Sequence, residues 1–117
     1  MSNFDHSTLV HDINHNLAPL RKNQPEAMQA FGQLARVAMA QGAVSSKHKE
    51  LIALAIGITQ HCSGCIGFHV KALLKLGCTR TELEEALNVC VYMGGGPALM
   101  YCAEAISAWD GMAATGV

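Results

Sequence analysis

Charge and aromatic rings are both scarce in this chain. Asp, Glu, Lys and Arg make up 15% of the residues, against roughly 25% in ordinary soluble domains. Eight basic residues nearly balance nine acidic ones, for a formal net charge of −1. That leaves no cationic excess to neutralise phosphates. One tryptophan, two tyrosines and three phenylalanines make no base-stacking platform, so no nucleic-acid partner is expected. Long apolar runs are missing too. The longest, Leu51 to Ile58, is eight residues with Gly57 inside it, whereas a membrane-spanning helix needs about 20, so no membrane partner is expected either. Neither lysine nor arginine precedes Arg21, and no continuous apolar stretch follows Met1. No targeting signal is read there, and the expected location is cytoplasmic.

What is present is apolar. Half of the 117 residues are hydrophobic, enough for the core of one domain and too few residues for two. With so little charge to cover it, the folded chain is expected to leave apolar surface bare and to form a homo-oligomer. Five cysteines are an odd number, and a core of this composition needs no disulfide staples. They are therefore read as mostly free thiols of a reducing compartment.

Strict apolar–polar alternation is absent and helical spacing is everywhere, so the fold class is all-α, a helical bundle of about five to six helices. Residues 1–24 form an N-terminal segment with a possible short helix from Leu9 to Leu17, followed by a loop around Asn16 to Gln24. The domain proper spans 25–112. Its first helix runs from Pro25 to Gln41 with apolar residues at Met28, Phe31, Leu34, Ala35 and Ala38. A second, from about Ser46 to Gln60, is apolar nearly all round and is expected to be central and buried. A third starts near Cys62 or Ser63 and stops at Gly77. Thr79 and Glu82 make a capping box that opens a fourth, ending at Gly94. Pro97 opens a fifth, to about Trp109. Connections of two to five residues are expected, and residues 113–117 are expected to fray.

The chemistry concentrates in His61-Cys62-Ser63-Gly64-Cys65-Ile66-Gly67-Phe68-His69. On a helix Cys62 and Cys65 are i,i+3, and Cys65 and His69 are i,i+4, so both sulfurs and the imidazole share one face. A helix N-terminus favours thiolate over thiol. Gly64 and Gly67 are read as leaving room for a substrate or partner thiol beside the sulfurs. Three readings stay open: a dithiol–disulfide redox pair, part of a zinc site lacking a second Cys-x-x-Cys, or inert buried thiols. Cys78, Cys90 and Cys102 stand singly and are read as small apolar core residues.

If the second and third helices fold back near His61, Glu50 lies about 16 Å and His69 about 12 Å from the turn, at about 1.5 Å per residue. Their side chains then meet directly or through one water. A carboxylate beside an imidazole holds its tautomer, and the imidazole can take a proton from Cys65 one turn away. The plainer alternative makes Glu50 an exposed first-turn residue.

Glu50, eleven residues, Cys62-x-x-Cys65, three residues, His69 resembles the signature of the alkyl hydroperoxidase D proteins, in the carboxymuconolactone decarboxylase-like superfamily. Lys47-His-Lys-Glu-Leu-Ile-Ala-Leu-Ala55 before the cysteines, His69-Val-Lys-Ala-Leu-Leu-Lys-Leu-Gly77 after them, and the Gly94-Gly-Gly-Pro-Ala98 turn are similar to that domain as well. The similarity covers roughly Pro25 to Trp109. It implies an all-α fold assembling as trimers or hexamers, and a peroxidase and disulfide-reductase activity that needs no metal or haem cofactor. Residue by residue, it makes Cys65 the thiolate that attacks a small hydroperoxide, Cys62 the resolving thiol, and Glu50 and His69 the proton relay. The reductant it implies is an external dithiol, thioredoxin-like or lipoyl-bearing. This chain departs from that pattern at Gly64, where alkyl hydroperoxidase D has a further histidine. His61 is nearby as a substitute, or is simply a polar residue at a helix end.

Two rivals remain in view: an enzyme acting on a lactone or other small metabolite with Glu50 and His69 as acid and base, and a zinc-stabilised oligomeric binding module. The decarboxylase branch does not depend on a cysteine pair, so Cys62 and Cys65 argue against the first. His11 and His15 are i,i+4 but are read as a solvated helix face. Gly94-Gly95-Gly96 has no strand before it and no Lys-Ser/Thr after it, and is read as an interhelical turn. Tyr101 and Trp109 are read as core or interface anchors.

Overall fold

In the computed structural model, residues 5–116 are described and form five helices: α1 (His6–Asn23), α2 (Pro25–Met39), α3 (Ser46–Thr59), α4 (Ser63–Lys75) and α5 (Arg80–Ala114). No strand occurs among them. The core is built where α3, α4 and α5 meet. Leu54 and Ile58 of α3, Ile66, Val70 and Leu73 of α4, and Leu83, Ala105 and Met112 of α5 are all nearly inaccessible.

The N-terminal helix is twice as long as its sequence pattern predicts. Asp5 caps it, accepting from the Ser7 backbone N–H at 3.0 Å and from the Thr8 hydroxyl at 2.7 Å, which starts the helix ahead of Leu9. Pro19 lies inside the helix rather than ending it. That side of α1 is exposed, so the carbonyl that a proline leaves without its N–H is open to solvent instead of stranded in the core. The expected loop around Asn16 to Gln24 shrinks to Gln24 alone, with Pro25 opening α2 directly.

Two helix ends define the middle of the fold, and both use the same reciprocal pair of hydrogen bonds. At the end of α4, Gly77 has φ of 76°, its N–H donates to Leu74 O, and the Cys78 N–H donates to Leu73 O. At the end of α3 the same bonds run from His61 to Ile58 O and from Cys62 to Gly57 O. The left-handed position there is His61, with φ of 58°. Both are Schellman turns, and the one at His61 folds α4 back along α3.

The capping box of α5 has both halves: the Glu82 N–H donates to Thr79 Oγ1, and the Thr79 N–H donates to Glu82 Oε1. α5 is interrupted at Gly95, whose φ of 71° and ψ of −157° are not helical, so it is two helical arms, as the Gly94–Pro97 punctuation predicts. By length and mean hydropathy alone α5 passes for a membrane span. Its break and its nine buried residues mark it as a core element. Its second arm runs past Trp109 to Ala114 and buries Met112; of the segment 113–117 expected to fray, Val117 lies outside the described residues.

The expectation of a central, buried α3 holds for one of its faces and is corrected for the other. Leu54 and Ile58 face α4 and α5, but Ile52 and Ile56 are each about half exposed, at 53% and 52%. Helix α2 buries no residue at all. Phe31, Leu34 and Val37 stand in solvent, as do Tyr92 and Met93 on α5.

Candidate functional site

The site is assembled by the α3–α4 turn. Cys62 is the N-cap of α4, in extended backbone, and its sulfur accepts the Cys65 backbone N–H at 3.1 Å. A sulfur here takes the place of the serine or aspartate oxygen that usually caps a helix. Both cysteines therefore sit in the first turn of α4, at its electropositive end, where thiolate is favoured. They are joined as a disulfide, with Cα atoms 5.2 Å apart.

His69 lies one turn beyond Cys65, and its Nδ1 is 2.6 Å from Glu50 Oε1 on α3. The two meet within one chain. An ionised carboxylate only accepts, so opposite an ionised Glu50 the neutral imidazole carries its proton on Nδ1 and keeps its lone pair on Nε2. The Glu50 side chain is 14% exposed and that of His69 30%, so the pair is sheltered at one edge and open at the other. A hollow of about 300 Å³ brings together Cys62, Cys65, His69, Gln60, Gly57 and Ile56. All four residues that the sequence singles out, Glu50, Cys62, Cys65 and His69, are thus brought together.

Gly64 and Gly67 behave differently from the expectation. A Cβ at Gly64 would lie 2.8 Å from Ile13 Cδ1, and one at Gly67 would lie 2.8 Å from Val10 Cγ2. Both glycines admit α1 against the back of α4, so they leave no room for substrate. The short N-terminal helix read from sequence gave no sign of this covering. The glycine on the reactive side is Gly57, where an added Cβ would meet Cys65 Cβ at 2.9 Å. Its absence of side chain lets α3 and α4 approach at the cysteines. Gly57 and Gln60 escape notice in sequence because each looks like a local irregularity of an apolar helix.

His61 stacks on Tyr101 of α5, ring centroids 4.6 Å apart and planes 8° from parallel. The contact offsets the cost of a left-handed histidine. Cys78, Cys90 and Cys102 are free and buried. Burial pushes all three thiols up, that of Cys102 to about 11, so they stay protonated at neutral pH. Among the described residues no three His, Cys, Asp or Glu side chains converge as a metal-ligand group. His11 is paired only with its neighbour Asp12, at 3.4 Å, on an exposed face.

The model of the carboxymuconolactone decarboxylase family matches residues 25–108. The chain belongs to that family. Among curated relatives, an uncharacterised protein of Cupriavidus necator is 36% identical over 108 residues, covering 92% of this chain and 96% of that one. An uncharacterised protein of the cox locus of Paracoccus denitrificans is 35% identical over 81 residues, covering 69% and 73%. A crystal structure of a family protein from Legionella pneumophila superposes with a TM-score of 0.88 at 50% identity, over 90% of this chain and 94% of that one. A family protein from Thermotoga maritima, for which a part in the antioxidative response has been suggested, gives 0.79 at 21% identity over 92% and 94%. The all-α fold of this family, in the alkyl hydroperoxidase D-like superfamily, is that of the present chain.

Proposed function

We propose that this protein is a thiol-dependent hydroperoxide reductase, with thiol–disulfide exchange as the second half of its cycle. The observation that carries the reading is the convergence of a sulfur pair at a helix N-terminus with a carboxylate-oriented imidazole in one hollow. In the reduced protein His69 Nε2 takes the proton of Cys65, and the thiolate attacks the O–O bond. One oxygen stays on sulfur as a sulfenic acid and the other leaves as alcohol or water. Cys62 then closes the disulfide and a water is released.

Re-reduction uses an external dithiol, lipoyl-bearing or thioredoxin-like. Attack on the Cys65 sulfur expels Cys62, and the Cys65 N–H that points at Cys62 Sγ stabilises the departing thiolate. Homo-oligomers and a cytoplasmic setting fit the bare apolar faces and the free core thiols.

The test is a thiol count on the reduced, reductant-free protein before and after one equivalent of cumene hydroperoxide. Loss of two thiols per chain is expected in the wild type. Cys62→Ser should yield one dimedone-labelled sulfenic acid at Cys65, and Cys65→Ser none. Survival of the Cys62 and Cys65 thiols after the peroxide would overturn the reading and favour metabolite chemistry by Glu50 and His69. Labelling of Cys65→Ser at Cys62 would exchange the two cysteine roles.

A further inference from the structure

One stripe of α3 leads away from the sulfurs. Lys49, Ile52, Ala53, Ile56 and Gln60 recur at three- and four-residue spacing, so they lie along one side of the helix. The Gln60 end lines the thiol hollow. The Lys49 end lines a second hollow of about 310 Å³, closed on its other side by Ala38 and Met39 of α2 and by Val44. Ala53 and Ile56 line both, so the two hollows are successive reaches of one trough. Lys49 to Gln60 spans about 16 Å at about 1.5 Å per residue.

The chemistry of the trough is one-sided. Every side chain lining its outer reach is apolar except Lys49. Lys49 Nζ donates to the Ala40 carbonyl at 2.6 Å, which anchors the ammonium at this end and leaves two of its three protons for another acceptor. A cation at one end, hydrocarbon along the floor and reactive sulfur at the other end complement a molecule with a carboxylate, a chain and an electrophilic oxygen. A helix face of a second copy would not call for that order of groups.

Building on the reductase reading, we propose that the trough selects a long-chain fatty-acid hydroperoxide. Its carboxylate pairs with Lys49, its hydrocarbon lies on Ile52, Ala53 and Ile56, and its hydroperoxyl group meets the cysteines. The balance is unchanged. The O–O bond breaks, Cys65 keeps the terminal oxygen as sulfenic acid, and the fatty alkoxide is protonated to the hydroxy acid. Cys62 supplies the second thiol as water leaves, and the external dithiol returns two electrons and two protons.

Stopped-flow thiol loss in the reduced protein, with 13-hydroperoxylinoleic acid, its methyl ester and tert-butyl hydroperoxide as probes, tests this. The acid should react roughly tenfold faster than either of the others, one decade in selectivity. Lys49→Met should bring the acid-to-ester ratio to near one, and Ile52→Ser should lower the ratio of acid to tert-butyl hydroperoxide. Equal rates in the wild type, or an acid-to-ester ratio unchanged in Lys49→Met, would overturn the proposal. So would unchanged ratios in Ile52→Ser accompanied by an altered subunit number in sedimentation, because the face would then be a contact between copies. If no peroxide consumes thiols, the reductase reading fails on its own. Calorimetric titration with linoleate then decides the trough: binding that is lost in Lys49→Met upholds it, and no binding overturns it.

Discussion

Glu50 fixes which nitrogen of His69 is free, and that is a stronger constraint than proximity alone. In the proposed cycle His69 is the base, so His69→Ala should slow peroxide-driven thiol loss by about 10²–10⁴-fold, the usual contribution of a positioned base. Glu50→Gln should slow it too, because a neutral amide also donates and no longer dictates the tautomer. Stopped-flow rates at matched pH check both. Away from the site, the hydrogen bond from Lys47, then that of the Thr79 N–H, holds the Glu82 carboxyl down to about 2. A carboxyl lowered on folding contributes stability that is full above its ordinary value near 4.5 and fades as pH falls towards 2. The stability gap between wild type and Glu82→Gln, measured by urea unfolding, should therefore shrink across that window. The pair is exposed, so the effect should be small and weaken with salt.

The α3–α4 hairpin is the element whose detail matters most. Its spacing was legible in sequence because a helix converts residue numbers into distance: Glu50 and His69, on opposite sides of a turn at His61, had to arrive at similar heights. What surrounds the hairpin was not legible. Pro19 reads locally as a breaker, so the long α1 and its seat against Gly64 and Gly67 were hidden. Those glycines are filled by Ile13 and Val10, partners that no local pattern names. Likewise, periodicity shows that α3 is apolar without showing that Ile52 and Ile56 are left bare. Gly57→Ala should separate the two helices at Cys65, where an added methyl has 2.9 Å of room. A loss of about 1–3 kcal/mol, the ordinary cost of overpacking, is expected in chemical denaturation, with a slower dithiol-to-disulfide conversion.

At the scale of the whole molecule, Phe31, Leu34 and Val37 on α2 and Tyr92 and Met93 on α5, each more than 55% exposed, are hard to reconcile with an isolated chain. Sedimentation should find more than one subunit, and Phe31→Glu or Tyr92→Glu should shift the distribution towards single chains without unfolding α3–α5. The charge-poor composition anticipated such surface, while its location had to come from packing.

Helix α2 has no buried anchor of its own, yet it supplies Ala38 and Met39 to the outer wall of the trough. A short helix with little tertiary support is marginal in water, so if a second copy covers α2, as its exposed face leads us to expect, that wall borrows rigidity from the contact. Dilution would then loosen the grip on long acyl chains before it touched the sulfur chemistry, and preference among peroxides would become a function of how crowded the protein is.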